Sequence, residues 1–172
     1  IGERFGRYAA DVQRPRGEVV WIHAVSLGET RAAEPLVRRI AHARPQATIL
    51  LTSMTATGRE AGRAFDGGRV IQAWLPYDVP FAVDAFLDRF APRAGLLMET
   101  ELWPNLIHAC RARGVPVRLV NARMSAKSAA GYRKFAALTQ PMLEALAGIA
   151  AQTPSDAQRL EALGARDVTV TG

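Results

Sequence analysis

Residues 19–25 have the sequence Val19-Val20-Trp21-Ile22-His23-Ala24-Val25, an almost continuous apolar run. Such a run without polar alternation is typical of a strand that is buried on both faces of a parallel sheet. Six comparable runs follow, at residues 47–53, 70–74, 94–98, 115–120, 149–152 and 168–170. Apolar residues at helical spacing fill the segments between them, for example Val83, Phe86, Leu87 and Phe90. The alternation predicts an α/β fold with a doubly wound, mainly parallel sheet and helices on both faces.

The composition is that of a globular protein, with 49% hydrophobic and 22% charged residues. The single cysteine, Cys110, excludes an internal disulfide framework and is predicted to be a small core residue. No stretch reaches the roughly 18 apolar residues of a membrane span, and there is no signal peptide. We predict one domain over residues 1–172, with residues 1–18 as a polar lead-in. Because the chain starts without methionine and ends in a strand-like segment, we expect it to be a piece of a longer protein.

The net charge of +6 comes almost entirely from arginine, since Lys127 and Lys134 are the only lysines. Arginine binds phosphate and carboxylate groups in a bidentate manner, which favours an anionic ligand or an anionic surface. Nucleic acid is not predicted, because aromatic residues do not interleave with the basic ones. The sequence also lacks a dinucleotide-binding glycine motif, a phosphate-binding P-loop and any metal-ligand spacing.

In a sheet of this kind, ligands bind beyond the carboxyl ends of the strands, so the segments after the strands are the candidate sites. Ser26, Gly28 and Glu29 follow the first run. The glycine permits a close approach of the backbone to a ligand, and a carboxylate there can act as a general base. The same spacing fits a capping box, in which Glu29 caps its own helix, and spacing alone favours the cap.

Polar residues also follow the second, fourth and fifth runs. Thr55 precedes a predicted helix and is suited to bind a phosphate or a sugar hydroxyl, although ordinary helix capping explains it equally well. Thr57 with Glu60 fits a capping box. Glu99 and Glu101 suit acid–base chemistry or polyol binding, and would lie on one side of the backbone if strand geometry continued. The alternative is a helix N-terminus that tolerates acidic residues. Residues 121–132 contain Arg123, Ser125 and Lys127, which indicate an anion site or a solvated basic loop.

Taken together, these segments resemble the N-terminal domain of the bacterial 3-deoxy-D-manno-octulosonic acid (Kdo) transferases. The resemblance extends from about Val19 onward. Its most specific part is the acidic segment, residues 98–105, which contains Glu99 and Glu101. It is carried by four motifs in order: Trp21-Ile22-His23-Ala24-Val25-Ser26-Leu27-Gly28-Glu29-Thr30, Leu75-Pro76-Tyr77-Asp78, Met98-Glu99-Thr100-Glu101-Leu102-Trp103-Pro104-Asn105 and Asn121-Ala122-Arg123-Met124-Ser125-Ala126-Lys127-Ser128-Ala129-Ala130-Gly131-Tyr132.

The resemblance implies the Rossmann-like, acceptor-side half of a GT-B glycosyltransferase that transfers Kdo from CMP-Kdo to a lipid A precursor in lipopolysaccharide biosynthesis. Transfer would invert the anomeric centre without a metal ion or cofactor. It implies a donor-binding C-terminal domain and a membrane anchor beyond this chain, and a location at the cytoplasmic face of the inner membrane, against an anionic membrane surface. Without the donor half, the chain alone is expected to be inactive.

Residue by residue, the resemblance places the general base on Glu29 and makes Glu99 or Glu101 the candidate that stabilises the reacting sugar. Substrate contacts are expected from Ser26, Gly28, Thr55, Arg123, Ser125 and Lys127. Two alternatives stay open at this point. One is a GT-B relative that acts on another nucleotide sugar, such as an epimerase; the other is a noncatalytic module that binds lipid or membrane.

Overall fold

A computed structural model describes residues 2–9, 12, 14–65 and 69–172. Its internal contacts divide the chain into two compact units, Ile1–Gly95 and Leu96–Gly172, which we call the first unit and the second unit. The prediction of one domain with a lead-in over residues 1–18 stays a prediction.

The first unit begins with a short 3-10 helix, Gly2–Phe5, and then alternates strands with helices. Its elements are β1 (Val19–His23), α1 (Leu27–Ala43), β2 (Thr48–Ser53), α2 (Ala56–Gly62), β3 (Val70–Trp74) and α3 (Pro80–Phe90), and β4 (Ala94–Met98) begins at its end. The strand order is β3-β2-β1, and both pairs are parallel.

The second unit continues the alternation. Its elements after β4 are α4 (Pro104–Ala112), β5 (Val117–Ala122), α5 (Ala126–Arg133), α6 (Ala136–Glu144), β6 (Gly148–Ala151), α7 (Pro154–Ala162) and β7 (Val168–Val170). The strand order is β4-β5-β6-β7, with β6 parallel to both β5 and β7. The predicted α/β class with a mainly parallel, doubly wound sheet is therefore confirmed.

The core of the first unit forms where helix stripes meet the apolar strands. Trp21 and Ile22 have no exposed surface, and the Trp21 ring packs edge-on against Phe86 of α3 at 5.4 Å between centroids. The predicted stripe on α3 is confirmed, since Val83, Phe86, Leu87 and Phe90 are all buried. Burying side chains of this size provides most of the free energy that holds helix to strand, about 1.5–3 kcal/mol each.

Cys110 lies on α4 and is fully buried in the second unit, as predicted. Burial raises the pKa of its thiol to about 12, although the positive charge of Arg113 opposes the shift. Leu97, Leu119 and Leu160 are also fully buried in this unit. A thiol in such surroundings is a packing group, since nucleophilic chemistry requires the thiolate.

His23 ends β1 as a hydrogen-bonded core histidine with no exposed surface. Its Nδ1 lies 2.9 Å from Thr52 Oγ1 and 3.2 Å from Thr52 O on β2. The Trp21 Nε1–H donates to the same hydroxyl at 2.8 Å. Burial lowers the pKa of His23 to about 4, with the hydrogen bond to the Thr52 backbone opposing that shift.

This pKa predicts an acid-sensitive contribution to stability. Folded His23 stays neutral down to about pH 4, whereas an unfolded histidine gains its proton at about pH 6.5. In between, the unfolded chain binds more protons, so acid favours unfolding. We expect the free energy of unfolding to fall by up to about 3 kcal/mol across that window, measured by urea denaturation at a series of pH values.

The comparison that isolates His23 uses two variants. His23→Gln should lose this part of the pH dependence, while His42→Gln, at an exposed position, should keep it. An equal pH dependence in wild type and His23→Gln would show that His23 is not the group responsible.

Candidate functional site

The turn after β1 places Glu29 in the first turn of α1 as part of a closed hydrogen-bonded ring. Ser26 is the N-cap, and its hydroxyl accepts from the Glu29 N–H at 3.4 Å and donates to Glu29 Oε1 at 2.9 Å. Glu29 Oε2 accepts the N–H of Val25 at 2.9 Å. Ser26 therefore caps the Glu29 N–H as predicted, but the Glu29 carboxylate reaches back to Val25, one residue before the N-cap, and only 8% of Glu29 is exposed. A carboxylate has about four acceptor positions, so these contacts orient Glu29 and leave acceptor positions free for another donor.

Gly28 lies at the exposed outer side of this turn. A Cβ built on Gly28 would meet only Ser26 Oγ, at 3.9 Å. Another molecule can therefore approach the backbone beside Glu29 without meeting a side chain at this position.

The start of α2 packs against the same turn. Thr55 is the N-cap of α2, since its hydroxyl accepts the N–H of Gly58 at 3.1 Å, and it also donates to Val25 O at 3.2 Å. A Cβ on Gly58 would lie 3.1 Å from the carbonyl carbon of Ser26, so glycine permits this close approach. The predicted capping box of Thr57 and Glu60 is wrong, because α2 begins two residues earlier and Thr57 lies inside it.

The N-terminal segment contributes a cluster that the sequence did not predict. The Glu3 carboxylate accepts the N–H of Trp74 at 3.0 Å and lies 3.8 Å from Arg59. The guanidinium of Arg4 lies 4.9 Å from the centre of the Trp74 ring and donates to Met54 O at 2.6 Å. These contacts join residues about 50 to 71 positions apart, so no local pattern could have revealed them.

In the second unit, β4 ends at Met98 and the chain turns sharply at Glu99. Glu99 has a φ of 56°, the left-handed region that costs a residue with a side chain about 1–2 kcal/mol. Strand geometry therefore does not continue through Glu101. The prediction that Glu99 and Glu101 lie on one side of the backbone required continued strand geometry, so that requirement is not met. Glu99 and Glu101 are half-buried. The charge of Glu101 acts on Tyr132, whose pKa is raised first by burial and then by that charge. Strained backbone of this kind is concentrated at functional sites.

The turn after β4 is tied to the segment after β5 through Thr100. Its hydroxyl donates to Arg123 O and accepts the Arg123 N–H at 3.2 Å. The Glu99 N–H donates to Val120 O at 2.9 Å. The structure thus brings residues 99–101 and the segment that begins at Arg123 together within the second unit. Thr100 joins them, and the site prediction had not included it.

Residues 123–127, which we call the basic loop, comprise the turn after β5 and the first two residues of α5. Ser125 is the N-cap of this helix and its hydroxyl accepts the N–H of Ser128 at 3.0 Å. Arg123 and Lys127 are exposed. No ion pair to either side chain is found within the described ranges, whereas surface arginines such as Arg38 lie against carboxylates. These two uncompensated cations, Arg123 before α5 and Lys127 in its first turn, form a suitable surface for an anion.

The predicted site residues therefore fall into two sets, with Ser26, Gly28, Glu29 and Thr55 in the first unit and Glu99, Glu101, Arg123, Ser125 and Lys127 in the second. Within residues 2–9, 12, 14–65 and 69–172, no group of His, Cys, Asp and Glu side chains is arranged to hold a metal ion. In the same ranges no helix combines the length and the hydropathy of a membrane crossing.

Comparison with known proteins identifies relatives over almost the whole chain. A family model described as 3-deoxy-D-manno-octulosonic-acid transferase (kdotransferase) matches residues 1–172. A 3-deoxy-D-manno-octulosonic acid transferase of Bordetella pertussis is 51% identical over 177 residues, which cover 98% of this chain and 40% of that protein. One of the same description from Haemophilus influenzae is 41% identical over 165 residues, covering 95% of this chain and 38% of that protein. The chain spans about two fifths of the length of these relatives.

Among solved structures, a UDP-GlcNAc 2-epimerase from Neisseria meningitidis bound to UDP-GlcNAc matches with a TM-score of 0.60. The match covers 91% of this chain and 47% of that one, at 13% sequence identity. At that identity the likeness concerns the fold alone.

Proposed function

The chain belongs to the 3-deoxy-D-manno-octulosonic-acid (Kdo) transferase family, and we propose that in the full-length protein it supplies the acceptor site and the general base for transfer of Kdo from CMP-Kdo to a lipid A precursor. The observation that carries the proposal is the buried, oriented carboxylate of Glu29 beside the open backbone at Gly28.

In the proposed reaction, an acceptor hydroxyl attacks the anomeric carbon of Kdo from the face opposite the leaving group. Glu29 takes the hydroxyl proton as the new carbon–oxygen bond forms. The bond between the anomeric carbon and the CMP phosphate breaks, and CMP leaves with the electron pair. The anomeric configuration is therefore inverted, and no metal ion or cofactor is assigned a step.

The sugar develops positive charge as CMP leaves, so a carboxylate near the anomeric carbon stabilises the transition state. We assign this role to Glu99 or Glu101, and favour Glu99 because its backbone is held in a strained conformation.

The remaining site residues are assigned to substrate binding. Arg123 and Lys127 supply charge for an acceptor phosphate. Hydroxyl contacts to the substrate are assigned to Ser125 and to the first-unit residues Ser26 and Thr55, whose hydroxyls also cap helices.

A lipid acceptor fixes where the enzyme works. We propose that it acts in lipopolysaccharide biosynthesis at the cytoplasmic face of the bacterial inner membrane. The net charge of +6 favours attraction to an anionic membrane surface.

The deciding experiment incubates the full-length protein with CMP-Kdo and a lipid A precursor and follows product mass and released CMP. We expect Kdo transfer with CMP-Kdo, no reaction with UDP-GlcNAc, and equal transfer in the presence of a metal chelator. Reaction with UDP-GlcNAc instead would support a nucleotide-sugar epimerase or another glycosyltransferase. Acceptor binding without transfer from any donor would support a noncatalytic lipid-binding protein.

A further inference from the structure

Two side chains of α7 hold both polar groups of one residue in the basic loop. Asp156 Oδ1 accepts the N–H of Met124 at 2.7 Å, and Arg159 Nη1 donates to Met124 O at 3.0 Å. Asp156 Oδ1 and Arg159 Nη1 lie 4.0 Å apart. One carboxylate and one guanidinium of α7 therefore hold the Met124 backbone side by side. These contacts span 32 and 35 residues, so they join separate elements of the second unit.

Asp156 is itself firmly placed. Its Oδ2 accepts the Thr153 hydroxyl at 2.5 Å, its own N–H donates back to that oxygen at 3.1 Å, and the residue is only 8% exposed. Burial on its own would raise the pKa of Asp156, but the hydrogen bonds from Thr153 and Met124 and the charge of Arg159 lower it below the ordinary value. The carboxylate is therefore an ionised acceptor, and hydrogen bonds to such groups are the strong ones.

The neighbouring backbone groups are held as well. The Gln152 N–H donates to Ala122 O at 2.9 Å, and Thr100 holds both the N–H and the carbonyl of Arg123. The Met124 side chain has no exposed surface. The backbone is thus fixed at Ala122, the last residue of β5, and at Arg123 and Met124 of the basic loop, while the Arg123 and Lys127 side chains are exposed to solvent.

We propose that Asp156 and Arg159 are positioning residues that fix the basic loop, so that Arg123 and Lys127 meet an anionic group of the acceptor in a preset geometry. A loop ordered before binding does not lose its conformational entropy when the acceptor arrives, and the gain appears as affinity. The proposal rests on the proposed function for what the loop binds, and on the hydrogen bonds alone for how the loop is held.

The test uses the full-length enzyme and the variant Asp156→Ala. We expect the KM for the lipid A precursor to rise about tenfold, while the KM for CMP-Kdo and kcat change less than about twofold. Asp156→Asn should recover most of the loss, because its carboxamide oxygen can still accept the Met124 N–H. Independently of activity, amide hydrogen exchange should show lost protection at Met124 in Asp156→Ala and retained protection in Asp156→Asn.

A matched control separates positioning from general destabilisation. Leu163→Ala truncates a buried side chain at the C-terminal end of α7, away from the basic loop, and should lower stability without raising the acceptor KM. A rise in acceptor KM in Leu163→Ala equal to that in Asp156→Ala would overturn the proposal, as would unchanged exchange at Met124 in Asp156→Ala.

The proposed function can fail separately. Suppose that wild type transfers no Kdo but Asp156→Ala loses protection at Met124. The role of Asp156 in holding the basic loop is then supported, and the assignment of the acceptor is wrong. A double variant, Arg123→Gln with Lys127→Gln, should raise the acceptor KM at least as much as Asp156→Ala does. If this double variant leaves the KM unchanged, the loop does not present charge to the acceptor and the proposal is wrong.

Discussion

Glu29→Gln is expected to lower the rate of Kdo transfer by about 10²–10⁴-fold while changing the free energy of unfolding by no more than about 1 kcal/mol. The carboxamide oxygen can still accept the N–H of Val25, and its NH₂ group can donate to the Ser26 hydroxyl, so the cap of α1 is largely kept. What is lost is the ability to take a proton from the acceptor hydroxyl. The measurement is kcat of the full-length enzyme, together with urea denaturation of both proteins.

The matched control is Glu34→Gln, which removes a carboxylate from the same helix. Glu34 lies on the exposed side and pairs with Arg38 at 2.6 Å, a contact worth little at a surface. We expect wild-type transfer. Normal transfer by Glu29→Gln would mean that Glu29 is only a helix cap and that the base is Glu99 or Glu101.

Glu99→Gly is expected to lower transfer by about 10²–10³-fold and yet leave the protein as stable as wild type or slightly more so. Glycine relieves the left-handed strain of about 1–2 kcal/mol at this position. Its greater freedom in the unfolded chain offsets about 0.5–1 kcal/mol of that gain. Activity and stability should therefore change in opposite directions, measured as kcat and as the free energy of unfolding.

The control is Asp167→Gly, another carboxylate with a left-handed backbone, at a φ of 51°. Asp167 is exposed just before β7, so the substitution makes the same backbone change away from the acidic segment. Transfer should stay at the wild-type rate. A loss of less than about tenfold in Glu99→Gly would instead assign the stabilising carboxylate to Glu101.

Much of the fold could be predicted because strands that are buried in a parallel sheet consist of continuous apolar residues, which are visible in the sequence. The bounds of β3, β4 and β7 agree with the sequence prediction residue for residue. The prediction for β5 began two residues too early, because Val115 and Pro116 are apolar but Pro116 has no N–H for a strand ladder. Hydropathy alone does not distinguish a strand residue from an apolar turn residue.

Helix starts were predictable only where a single cap fitted the local sequence. At α7, Thr153 is followed by Pro154, a cap with proline at the first helical position, and the helix begins there. At α2, Thr55 and Thr57 were both suitable caps, and packing against the turn at Ser26 selects Thr55, because Gly58 is the residue that permits the close approach. That choice depends on a contact between distant residues.

The sequence suggested candidate site residues but not their geometry. Motif resemblance proposed Glu29, Glu99 and Arg123 as candidates, which stays a prediction, but the left-handed turn at Glu99 depends on backbone contacts to β5. Thr100, Asp156 and Arg159 carry no catalytic signature, since their roles come from tertiary hydrogen bonds. Long-range contacts of this kind leave no periodic pattern in one sequence.

The burial of Cys110 has a practical consequence for chemical labelling. It is the only cysteine of the chain, and with its thiol pKa at about 12 almost none of it is thiolate at neutral pH. Alkylating reagents and maleimide dyes should therefore pass over the native chain. A cysteine introduced at an exposed position such as Ala130 would be the single reactive thiol of this chain, and a fluorophore attached there would report on the surface of α5 without background.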